Sequence, residues 1–353
     1  MTSRRWIILV AVAIVPACVA GWRIDRTALL AAWLAAWWCW AGIVMGGLAQ
    51  IWLHNLTGGG WGEPIRAPLQ ALGRSMWFVS LLFIPVLLAL NLLYPWAHDA
   101  AAGAARWTGE LARPGFKNAW LQPSGFVLRS VLWLLLWNVL AWYSQPQRLA
   151  RSRAFSAIAL IAYTLSASIA AFDWIMSLMP LWYSSVFGLL VLMAQATGGM
   201  ALAIVFVIRG RSGKPELLGD LANLLLSYIM MLAYLAFMQF LIIWAENLPH
   251  EIVWYTARRI GAWPDVARLL AVLLFAVPCL ALLFRTIKRN PAGLAWIAWL
   301  VLAMLLLHAW WLVMPSLPAA SRNWPWAAPL GALALAVAMA LFFGVQGRTW
   351  RRT

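Results

Sequence analysis

The stretch WYSSVFGLLVLMAQATGGMALAIVFVI (residues 182–208) decides the class of fold. It runs 27 residues without a charged side chain, and its one amide is Gln195. About 20 apolar residues cross a hydrocarbon core about 30 Å thick, so this segment is long enough to span a membrane. Working outward, nine more runs of the same kind appear, at roughly 6–22, 29–53, 75–96, 125–145, 155–176, 221–246, 266–285, 292–314 and 327–345. The chain of 353 residues is 65% hydrophobic and 10% charged, against about 45–50% and about 25% in soluble domains. No soluble core of this size hides that much apolar surface. The sequence predicts an all-α integral membrane protein of ten transmembrane helices. Its 27 Trp fit a membrane–water interface, where an indole keeps an apolar body and one wet donor.

The formal net charge of +16 would suggest nucleic acid in a soluble protein. Here the basic residues lie mostly in short loops, so they read as orientation signals and as contacts for anionic lipid. With ten spans both termini share a side. That side carries sixteen Lys/Arg and three acids, and the opposite side ten Lys/Arg and seven acids. The bias places both termini in the cytoplasm. The first run resembles a signal peptide in length, but cleavage near Cys18 would leave Arg23 and Arg26 just after the site. We therefore expect it to be retained. The longest connection, about 97–124, is too small for a catalytic domain, which leaves chemistry to the bundle or to partners.

Two short patterns recur in register. Gly62-Glu63-Pro64 follows span 2 and Gly213-Lys214-Pro215 follows span 6; Trp174-Ile175-Met176-Ser177-Leu178-Met179-Pro180 ends span 5, and Trp311-Leu312-Val313-Met314-Pro315-Ser316-Leu317-Pro318 ends span 9. They pair spans 2–5 (29–176) with spans 6–9 (182–314) as two parallel four-helix bundles in one membrane domain, with a peripheral helix at each end. Transporters more often use inverted repeats.

Polar side chains inside spans are expensive and mark functional sites or interhelical contacts. On span 2, Gly42, Gly46, Gln50 and His54 follow i+4 spacing, a stripe that reads as a packing seam or as a proton entry. Asp173 lies near the external end of span 5, as a cap or pair or as a proton-release group. Span 6 aligns Ser184, Gly188, Gln195 and Gly199, and Gln195 needs a partner across that seam. On span 7, Tyr228, Gln239 and Glu246 share a stripe from the cytoplasmic third to the external rim, either a proton path or polar packing. His308 sits within span 9 with no second histidine in a facing span, so a bis-His haem is not expected. A structural hydrogen bond, quinone contact or proton transfer remain open to it, with Tyr183 and Gln195 as further polar contacts.

Cys18, Cys39 and Cys279 form no C-x-x-C or C-x-x-C-H, so no iron–sulfur cluster, covalent haem or other metal is expected in this chain. Gly58-Gly59-Gly60-Trp61-Gly62 lacks the Gly-Lys-Ser/Thr of a phosphate loop, and its glycines read as a tight turn. No catalytic constellation of Ser, His and Asp appears.

Three blocks carry a resemblance. They are His54-Asn55-Leu56-Thr57-Gly58-Gly59-Gly60-Trp61-Gly62 running on to Arg66 and Leu92-Leu93-Tyr94-Pro95-Trp96; Asp173-Trp174-Ile175-Met176-Ser177-Leu178 with Trp182-Tyr183-Ser184; and Tyr234 to Trp244 with Glu246-Asn247-Leu248-Pro249 and Trp254-Tyr255. Together they resemble the F-type membrane subunit of bacterial alternative complex III, within the polysulfide-reductase membrane-subunit superfamily. The resemblance implies a subunit without its own redox centre in a quinol:cytochrome c oxidoreductase of the bacterial inner membrane. It implies three kinds of partner: a related larger membrane subunit holding the quinol site, an iron–sulfur subunit and c-type cytochromes. It also implies support for proton translocation along Asp173, Gln239 and Glu246, with quinone as a contact. Met179 and Leu181 depart from the more polar turn associated with that family. The alternatives are a stand-alone transporter or channel, and a purely structural membrane anchor.

Overall fold

The computed structural model describes residues 2–98, 119–210 and 214–350, with side chains over 12–97, 119–210 and 214–343. Most of the 97–124 connection, the side chain of His98, and Gly213 of the second repeated motif lie outside the described residues. All regular structure among the described residues is helical. Eight helices are long and apolar enough to cross a membrane, or nine if a bent pair, Glu63–Gly73 with Met76–Leu88, is one span.

We label the main helices α1 (Thr2–Thr57), α2 (Glu63–Gly73), α3 (Met76–Leu81), α4 (Pro123–Tyr143), α5 (Arg153–Trp174), α6 (Phe187–Arg209), α7 (Pro215–Glu246), α8 (Pro249–Ala257), α9 (Trp263–Leu270), α10 (Pro291–Val313) and α11 (Pro318–Trp350). Helix α1 is broken at Asp25, whose φ of −158° and ψ of 98° are not helical. The Asp25 carboxylate accepts from Ala28 N at 2.9 Å, an N-cap for the second arm. On a continuous helix Ile14 and Trp33 would stand about 28 Å apart at 1.5 Å per residue. Both instead pack in one cluster with Ala334 and Val337 of α11, and a Cβ on Gly21 would meet Leu29. The chain folds back at Asp25, and both arms lie against α11.

The chain departs from the expected spans in three places. The 54–74 connection contains a helix, α2, because Ile65, Leu69 and Leu72 recur at helical spacing and are buried. Its axis bends 41° into Met76–Leu88. The expected 75–96 span is also fragmented, into α3, Ile84–Leu88, Leu90–Leu93 and Pro95–His98. At residues 271–276 the chain widens into a π turn ahead of Pro278, which lacks the amide hydrogen an α-helix would direct at Leu274.

The fragmentation frees carbonyls in an apolar interior, and tryptophans meet them. Phe83 N turns to Ser80 O and Val86 N to Phe83 O. Trp37 Nε1 then donates to Val79 O at 2.7 Å and Trp33 Nε1 to Leu82 O at 2.9 Å. Trp37, Trp52, Trp137, Trp174, Trp182, Trp254 and Trp263 are all fully buried, so these indoles lie in the core and not in the interfacial belt expected from composition. Trp137 and Trp174 reach Ser166 and Ser130 Oγ at 2.9 and 2.8 Å.

At the centre the second arm of α1 crosses α6. A Cβ on Gly46 would stand 1.9 Å from Gln195 O, and one on Gly199 2.3 Å from Gly47 N. Gly42 faces Gln195 while Gly46 and Gly47 face Gly199, so the two helices run in the same direction. Close backbone approach of this kind is how apolar helices associate where lipid cancels the hydrophobic effect. The ends of α5 and α10 also match, each closing on a single 3₁₀ turn, Met176–Leu178 and Met314–Ser316.

Gly199→Ala is expected to destabilise the chain by about 1–3 kcal/mol, the usual cost of overpacking. Gly219→Ala, where a Cβ would meet nothing within 4 Å, is expected to leave stability unchanged or slightly raised. SDS titration in mixed micelles measures both.

Candidate functional site

The polar residues singled out in the sequence fall into four places. At the end of the bundle formed by residues 54–63 and 144–153, His54 Nε2 donates to Gly59 O at 2.8 Å and Nδ1 accepts from Arg66 Nη2 at 3.0 Å. Arg66 also reaches Asn55 Oδ1 at 2.8 Å and Ala150 O at 3.0 Å. Arg151 and Glu63 close the cluster with bonds of 2.9 and 3.0 Å. Gly58 and Gly59 hold φ of +74° and +94°, and a Cβ on Gly62 would collide with the His54 ring at 2.0 Å. The glycine run is thus a turn wrapped around a fixed imidazole.

One turn deeper, Gln50 Oε1 accepts from Tyr228 OH at 2.9 Å, and its amide nitrogen reaches Ala196 O at 3.3 Å. Two stripes read separately in the sequence therefore meet here, linking α1, α6 and α7. Gln195 is the third place. Its Oε1 accepts from Tyr163 OH of α5 at 2.5 Å, and its Nε2 has no partner. Gln195, Gly42 and His308 line a cavity of about 30 Å³ between α1, α6 and α10. His308 is 7% exposed and stacks on Trp311 at 6.2 Å.

The fourth place lies at the opposite end of the bundle. Gln239 Oε1 accepts from Ser184 Oγ at 3.0 Å, and Nε2 donates to Tyr255 OH at 3.4 Å. Glu246 and Tyr183 are exposed at that rim, and Tyr183 faces the His250 ring at 6.5 Å. Neither lines the cavity beside His308.

Asp173 stands apart from these lines. It is fully buried and takes a two-toothed contact from Arg129, Nε to Oδ2 at 2.8 Å and Nη2 to Oδ1 at 3.0 Å. Trp120 Nε1 donates to Oδ1 at 2.7 Å, and Arg129 also lies 4.1 Å over the Trp120 ring. A carboxylate in the last turn of a helix faces the negative end of the macrodipole, and Arg129 offsets that charge.

Arg258 was not singled out in the sequence, where it looks like one more loop cation. It is 3% exposed, and its side chain grips the end of α10. Nε donates to Trp311 O at 3.1 Å, Nη2 to Leu312 O at 2.7 Å and Ser316 Oγ at 3.3 Å, and Nη1 to Trp254 O at 2.8 Å. Burial lowers the guanidinium's pKa from its ordinary value, which is high enough that the cation persists. The Trp254 ring lies 3.2 Å below it. Tyr94 OH and Trp96 Nε1 do the matching work at the end of α5, donating to Trp174 O at 2.9 Å and Ser177 O at 3.1 Å. Tyr163 was also missed, since a tyrosine in an apolar run looks like core.

Among the described residues, no group of three or more His, Cys, Asp or Glu is placed to hold a metal ion. The cavity beside His308, at about 30 Å³, is far below the roughly 150 Å³ that admits benzene. No known family model matches the chain, and no curated protein matches it.

Asp173→Asn leaves Arg129 without its counter-charge and is expected to cost up to about 3–5 kcal/mol, as for other broken buried pairs. Arg258→Met is expected to cost about 1–3 kcal/mol for each carbonyl it strands. Both are read as a lowered thermal midpoint of the purified protein.

Proposed function

We propose that this chain is a non-redox integral membrane subunit of a respiratory quinol:electron-acceptor oxidoreductase. In this reading it sits in a bacterial inner membrane with both termini cytoplasmic, and its redox chemistry belongs to partners. Those partners are a related larger membrane subunit with the quinol site, an iron–sulfur subunit and c-type cytochromes. The reading divides α1 at Asp25 into two spans and treats the bent α2–α3 pair as one, which makes ten, with a four-helix repeat on each side of the central crossing.

The observation that carries the reading is the placement of polar groups along that crossing. His54, the Gln50–Tyr228 pair, Gln195 with His308, and Gln239 with Ser184 are spread from one end of the bundle to the other. Apolar helices do not need such groups to associate, and intramembrane polar residues are functional by default. We take the line as support for proton transfer beside the redox partners, with any quinone held mainly by the larger subunit.

A purely structural anchor is the second reading, and the closed contacts of Asp173 and His54 favour it. The two readings separate on function. Purification in mild detergent is expected to bring down subunits carrying c-type haem and iron–sulfur signals; recovery of a stable partner-free monomer would sink the first reading. In the assembled complex, Gln239→Leu and Gln50→Leu are expected to lower proton transport while quinol oxidation persists. Unchanged transport in both variants selects the anchor.

A further inference from the structure

The amide of Gln195 poses a problem that its protein neighbours do not solve. The residue is 4% exposed, its Oε1 is taken by Tyr163, and its Nε2 is buried with no partner. Turning the amide over would move the unmet group from an N–H to a C=O without removing it. Gln195 lines the cavity shared with His308, whose ring is 7% exposed. Trp38, Cys39, Gly42, Ile43 and Leu305 supply most of the remaining wall.

Size and chemistry together select the occupant. A site needs about 10–15 Å³ per water by this measure, and each water needs two or more polar partners. The cavity offers about 30 Å³, with the Gln195 amide and the His308 imidazole among the side chains that line it. Two waters bonded to each other and to one side chain apiece would each have two polar partners. An aromatic ring is too large, and a metal cation would find no carboxylate among the lining residues. Leaving the cavity dry would forfeit hydrogen bonds from both side chains with nothing in exchange.

We propose that this cavity is an internal hydration site, in which about two water molecules bridge the Gln195 amide on α6 to the His308 imidazole on α10. The waters give a buried imidazole a proton-exchange partner at the junction of the two halves. The site does not depend on the chain's role in any complex. Gly42 helps shape it, since a Cβ there would stand 2.8 Å from Gln195 Cγ and push the amide.

Water-edited solid-state NMR on the full chain in lipid nanodiscs, with ¹⁵N-histidine labelling, tests this. The chain has four histidines, and exposed His250 serves as the positive control. The imidazole of His308 is expected to receive magnetisation from water, and to lose it in Gln195→Leu. Ala309→Leu fills the cavity from its other wall and is expected to abolish the same signal, so the test survives if the first variant does not fold. Transfer to His250 but none to His308 in the wild type overturns the proposal. So does a His308 signal unchanged in both variants, or binding of xenon, which marks a dry apolar cavity.

Discussion

Inside a hydrocarbon layer a backbone carbonyl without a donor has no water to turn to. The architecture of this protein follows from that constraint wherever its helices break or end. The fragmented stretch after α3 is tolerable because Trp33 and Trp37 reach across from α1 to the carbonyls it frees. The end of α5 is met by Tyr94 and Trp96, and the end of α10 by Arg258. Each donor comes from a different part of the chain than its acceptor, so satisfying the backbone also fixes how neighbouring segments are placed.

The glycine crossing between α1 and α6 solves the complementary problem of bringing helices together without a hydrophobic drive. It draws Gln50 to Ala196 and sets Gln195 against Gly42. Polar side chains that would be stranded on isolated helices then find one another, or find enclosed space. The same crossing organises packing and distributes hydrogen-bonding groups along the middle of the molecule. Asp173 lies away from it, clasped by Arg129 and Trp120, as a fastening of the first half.

Much of this architecture was legible in the sequence. The apolar runs located the helices, the i+4 stripe of Gly42, Gly46 and Gln50 marked the seam, and the glycine run after His54 marked a turn. What was not legible depends on contacts between distant residues. Arg258 looked like a loop charge and Arg129 like a charge just inside a span end, because nothing in their neighbourhoods predicts carbonyls or a carboxylate folding onto them. The indoles looked interfacial because composition cannot say which carbonyls a broken helix will leave open. Helix α2 was hidden in a connection by Glu63 and Arg66, charges that the folded chain neutralises at its edge. Tyr183 and Glu246 shared a stripe or turn with buried residues, yet both side chains are exposed at the rim of the bundle.

The reversal at Asp25 bears on how the protein is made. The first arm of α1 packs on α11, and Asp25 Oδ2 accepts from Asn323 at 2.7 Å across 298 residues of chain. At about 5–20 residues per second of synthesis, the opening helix waits on the order of 15–60 s before its partner exists. Throughout that interval it must rest in lipid or against a surrogate. This arm is therefore locked in place only after α11 has been made.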